Sequence, residues 1–111
     1  MQHILLQVNI GQEPQKSGIA PAEVEQVCKE IMTCEGLHVA GLMCLPPACE
    51  EAEEARPYFA ALATMAQQLR QSTGLALPHL SMGMSHDFEV AVAEGATIVR
   101  VGTDIFGPRQ V

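Results

Sequence analysis

The sequence predicts an α/β fold, a parallel sheet built from repeated β-α units in one domain over residues 1–111. Three observations lead there. Apolar runs of strand length recur along the chain, segments with apolar residues at helical spacing separate them, and glycine and proline mark the boundaries. Strands joined through helices require crossover connections, which make neighbouring strands parallel.

Residues 4–10 form a near-continuous apolar run that ends at Gly11, the pattern of a strand buried on both faces. Pro21 suits the first turn of a helix, and Val24, Val27, Cys28 and Ile31 give that helix one apolar stripe, ending near Gly36. Residues 37–45 supply a second strand, stopped by Pro46 and Pro47. The acidic run of Glu50, Glu51, Glu53 and Glu54 either opens a longer helix, where its charge complements the backbone dipole, or forms a turn before a helix starting near Pro57. Tyr58, Leu62, Met65 and Leu69 would form the buried stripe of that helix. After Gly74 and Pro78, residues 79–84 read as a third strand, and Ser85 or Asp87 caps a helix whose apolar face is Phe88, Ala91 and Val92. Gly95 ends that helix, and residues 97–103 supply the fourth strand.

Hydrophobic residues make up 48% of the chain and charged residues 17%, a balance that excludes intrinsic disorder. No apolar run approaches the roughly 18 residues of a membrane span, and the first residues lack the basic start of a secretory signal, so the expected compartment is the cytosol. A net charge of −7 repels nucleic-acid phosphates and anionic lipid, which argues against nucleic acid or a membrane as partner. The cysteines Cys28, Cys34, Cys44 and Cys49 are expected as reduced, mostly buried thiols. With no Cys-x-x-Cys pair and with His3, His38, His79 and His86 scattered, no metal site is expected.

The chemical signal lies at the ends of the last two predicted strands. Parallel α/β folds bind ligands at the carboxyl ends of their strands. Two glycine-bearing loops fall there: one contains Ser81, Gly83, Met84 and Ser85, the other Gly102 and Thr103. Gly83 and Gly102 lack a β-carbon and let an anion approach the main chain, while Ser81, Ser85 and Thr103 offer hydroxyls. Such residues also serve ordinary turns, so it is their pairing on adjacent strands that suggests a phosphate cradle. Arg100, inside a β-branched apolar strand, must leave the core or meet an anionic or hydrogen-bonding partner.

Residues 79–88, HLSMGMSHDF, followed by residues 95–107, GATIVRVGTDIFG, closely resemble the signature end of the pyridoxal phosphate homeostasis protein family. The segments at Gln7-Val8-Asn9-Ile10, Lys16-Ser17-Gly18-Ile19 and Gly41-Leu42-Met43 resemble family segments in the same order. The resemblance implies a (β/α)8 barrel of the alanine-racemase type that carries pyridoxal 5′-phosphate on a lysine near an early strand. It also implies a role in buffering and delivering that cofactor, without catalysis. By the same resemblance, Ser81, Gly83, Met84, Ser85, Gly102 and Thr103 surround the phosphate, Arg100 points toward the cofactor near its pyridine nitrogen, and Asn9 and Met43 line the ring pocket. No catalytic residue is assigned, since His79, His86 and Tyr58 show no acid–base pairing.

One departure from the family governs what is expected of this chain. A full barrel needs about 250 residues and eight strands, so this sequence resembles the C-terminal half alone, without the half that carries the lysine. Neither Lys16 nor Lys29 matches that lysine's position, so any cofactor held by this chain is expected to be bound non-covalently. A half-barrel exposes two sheet edges and an uncovered inner face, so self-association or pairing with an N-terminal half-barrel is expected. The alternatives are a fragment of a racemase- or decarboxylase-type enzyme that uses the same cofactor, and a half-barrel that functions only after assembly with another chain.

Overall fold

The computed structural model describes residues 2–12, 18–47 and 49–100. In chain order these form β1 (Gln2–Val8), α1 (Val24–Met32), β2 (Leu37–Cys44), α2 (Arg56–Thr73), β3 (His79–Met84), α3 (Phe88–Ala93) and β4 (Ile98–Arg100), with 3-10 turns at Pro21–Glu23 and Ala52–Ala55 leading into α1 and α2. The strands form one parallel sheet in the order β1-β2-β3-β4. In a sheet of sequential order, right-handed crossovers put every connecting helix on the same face. Burial agrees with that topology. Leu6, Val8, Leu42, Cys44, Leu80 and Met82 join Val24, Cys28, Phe59, Leu62 and Ala91 in a single core between sheet and helices.

The expectation that the first strand is buried on both faces is therefore corrected. Leu6 and Val8 are buried, but the alternate residues Leu5 and Gln7 are only half-buried, because the connecting helices all lie on the other face. The acidic run forms a turn before α2. The Glu54 carboxylate accepts the main-chain N–H of Glu51 at 3.3 Å, and Glu53 pairs with Arg56 at 2.7 Å. Arg56 also reaches Glu94 at 2.6 Å, which ties the start of α2 to the end of α3.

Two helix faces differ from expectation. The buried stripe of α2 is Phe59, Leu62, Ala66 and Leu69, with Tyr58 and Met65 half-buried at its margin. In α3 the core residues are Val90 and Ala91, whereas Val92 is 54% exposed. The four cysteines are free, but only Cys28 and Cys44 are buried; Cys49 is half-buried and Cys34 exposed.

One irregularity shapes the sheet. Ile4 pairs with Val39 but Leu5 pairs with Gly41, so Ala40 is an extra residue in β2 and forms a bulge. The bulge brings Gly41 against the backbone of β3, at a position where any side chain would meet His79.

Candidate functional site

Register places residues on the uncovered face in layers. Gln7, Met43, Ser81 and Ile98 are neighbours across the four strands and form one row. Arg100 lies two residues beyond Ile98 on β4, on the same face and nearer the carboxyl ends, in register with Met84. Asn9 directly follows β1, and its main-chain N–H donates to Ile19 O at 2.9 Å. The fold thus brings Asn9, Met43, Ser81, Met84 and Arg100 to the carboxyl half of one sheet face. Gly102, Thr103 and Lys16 lie outside the described residues.

Ser81 is 6% exposed, the one buried polar side chain among the described residues, and its hydroxyl has no hydrogen-bond partner among them. A buried hydroxyl without a partner costs free energy comparable to a lost hydrogen bond, so its placement suits a ligand acceptor. Gly83 has a φ of +101°, and a β-carbon there would lie 2.6 Å from the Cβ of Ala91. The absent side chain therefore serves the close approach of β3 to α3. The main-chain N–H of Met84 donates to Asp87 Oδ1 at 2.8 Å. Ser85, half-buried, lies between these two residues in the loop.

The described cations divide sharply. Lys29 faces Glu25 at 4.0 Å, Arg56 is held by Glu53 and Glu94, and Arg70 donates to the carbonyls of Ala76 and Leu77. Arg100 alone among them has neither a hydrogen bond nor an ion pair within the described residues. Its field nevertheless reaches the Cys44 thiol. Burial pushes Cys44 up to about 12, Arg100 opposes that shift and Asp87 reinforces it. The ends of β2 and β4 and the loop after β3 therefore share one electrostatic neighbourhood. Lys29 sits on α1, across the sheet from this face. No group of three or more metal-ligating side chains occurs among the described residues.

Sequence reasoning treated Asp87 only as a helix cap and passed over the contact between Gly41 and His79. The Asp87 bond had a faint signal in the spacing from Met84 to Asp87, whereas the Gly41 contact becomes visible only once β2 and β3 are paired.

A one-sided parallel β/α sheet of four strands fits part of a β/α barrel, a fold that binds its ligands at the carboxyl ends of the strands. The family model described as "Alanine racemase, N-terminal domain" matches residues 1–110, and the chain belongs to that family. It is 46% identical over 110 residues to the pyridoxal phosphate homeostasis protein of Aquifex aeolicus, covering 99% of this chain and 48% of that protein. Against the protein of the same name from Pseudomonas aeruginosa it is 39% identical over 108 residues, covering 97% of this chain and 45% of the other. Among solved structures, PipY of Synechococcus elongatus without PLP superposes with a TM-score of 0.86 at 40% identity, covering 95% of this chain and 49% of PipY. PipY with PLP bound gives 0.82 at 38% identity, with the same coverage. The chain spans about half the length of the relatives it matches.

Proposed function

We propose that this chain is a pyridoxal 5′-phosphate binding module that serves intracellular handling of the cofactor, in the cytosol, rather than catalysis. The observation that carries the reading is Arg100, the one described cation without a partner, on the open sheet face near the carboxyl ends. The names of the relatives and the solved PLP complex of PipY support the same ligand.

The residues present fit the group. Ser81 offers a buried hydroxyl that lacks a partner within the described residues, and Arg100 offers a positive charge to a ligand that is anionic at neutral pH. When bound, the cofactor supplies an electrophilic aldehyde and an electron-withdrawing pyridine ring. Arg100 near the ring nitrogen keeps that nitrogen unprotonated and so restrains the ring as an electron sink, which favours carriage over reaction. Asn9 and Met43 border the ring. Ser85, Gly102 and Thr103 complete the phosphate end in this reading, and Gly83 and Met84 shape it through the backbone. Lys29 stands across the sheet and Lys16 does not match the position of the lysine in the family it resembles, so in this reading the cofactor is held without a covalent bond.

The uncovered face is closed by a second β/α half, either another copy of this chain or a separate N-terminal half-barrel. Leu5, Met43 and Ile98 fall on that face, and Ile98 is 39% exposed. Light scattering should give a mass above one chain, and a sharp monomer that binds no hydrophobic dye contradicts the pairing. The function is tested by equilibrium dialysis of pyridoxal 5′-phosphate against the full chain. Saturable binding without the visible band of a lysine-linked cofactor is expected, and an absence of saturable binding overturns the reading.

A further inference from the structure

Met84 and Asp87 are joined twice. The main-chain N–H of Met84 donates to Asp87 Oδ1 at 2.8 Å, and the main-chain N–H of Asp87 donates to Met84 O at 3.0 Å. Asp87 precedes α3, yet its side chain makes no capping bond to that helix and reaches back to the end of β3 instead. The enclosed residues are Ser85 and His86, and the anchoring residue Met84 stands in register with Arg100.

We infer that Asp87 is a positioning residue for the phosphate end of the site: by holding Met84 N–H it fixes the path of the loop and so sets the position of Ser85. This rests on the cofactor-binding reading above. The useful property of Asp87 is its acceptor atom and not its charge. A carboxylate beside a phosphate ester opposes binding, and the field of Asp87 already reaches Cys44 and Cys49 on the neighbouring strand end and the loop after it. Asparagine keeps the acceptor and removes the charge, whereas alanine removes both.

The two substitutions therefore separate geometry from charge and from general loss of fold. Dialysis of the full chain against pyridoxal 5′-phosphate should show Asp87→Ala weakened by about tenfold, with Asp87→Asn equal to or tighter than the unsubstituted chain, at comparable thermal midpoints. Affinity in Asp87→Ala within about twofold of the unsubstituted chain, or Asp87→Asn as weak as Asp87→Ala, overturns the inference. Amide hydrogen exchange without ligand tests the lock independently. Met84 N–H should be protected in the unsubstituted chain and in Asp87→Asn but not in Asp87→Ala, and equal exchange in all three overturns the inference. If the unsubstituted chain binds no cofactor, the functional reading falls, while the exchange experiment still decides whether Asp87 positions the loop.

Discussion

A β-carbon on Gly41 would lie 1.9 Å from the carbonyl oxygen of His79. The obstacle is backbone, so no rotamer change relieves it, and β2 and β3 would have to part. They pair through only three residue pairs, starting at this contact. Gly41→Ala should therefore destabilise the chain by about 1–3 kcal/mol or more, the range of overpacking in a closed core. Urea unfolding measures this, and an unchanged midpoint would show that the strands are not so closely apposed.

The face of α2 is tested by a neighbouring pair. Phe59 is fully buried and Tyr58 only half-buried. Phe59→Ala should cost about 3–5 kcal/mol and Tyr58→Ala markedly less. Equal losses would mean that α2 is rotated from the orientation described.

That pair also marks how far the sequence could be read. Strand β3 was legible to the residue, because Gly74 and Pro78 delimit it on one side and the loop of Ser85 on the other. The stripe of α2 was harder, since Tyr58 and Phe59 are adjacent aromatics flanking the same helix face. Met65 outweighs Ala66 as an apolar signal, although the small Ala66 is the one that fits against the sheet. For the site, Arg100 stood out as a charge inside an apolar strand, whereas Ser81 was read as part of a glycine-bearing loop and lies instead within β3, buried. The commitments of Gly83 to α3 and of Met84 to Asp87 were not legible, because strand-end glycines and Asp residues have several local uses that only tertiary packing separates.

Cys44 should make the chain sensitive to alkali. Its thiol is raised from the ordinary 9.0 to about 12, chiefly by burial. Above the unfolded value the folded chain retains a proton that the unfolded chain has lost, so this stabilising contribution is complete below about pH 9 and declines as pH rises toward 12. Cys28 is raised by burial in the same direction. Unfolding free energy should fall with pH in that window, and Cys44→Ala should flatten the slope. An identical slope in the variant would remove Cys44 as a contributor.

Arg100→Gln should weaken pyridoxal 5′-phosphate binding by about five- to tenfold and make the remaining affinity less dependent on salt, because a positive charge beside an anionic ligand is lost. Since Arg100 makes no bond to the rest of the described chain, the thermal midpoint should barely move. Unchanged affinity would return Arg100 to an ordinary surface charge.

The most direct measurement is a titration of pyridoxal 5′-phosphate into the isotopically labelled chain, followed through backbone amide shifts. Saturable shifts centred on residues 81–87 and 98–100, with little change along the opposite strand ends at residues 32–39, are the result expected. Largest shifts at residues 32–39, around the separate groove between the end of α1 and the start of β2, would contradict the assignment of the ligand to the carboxyl ends of the sheet.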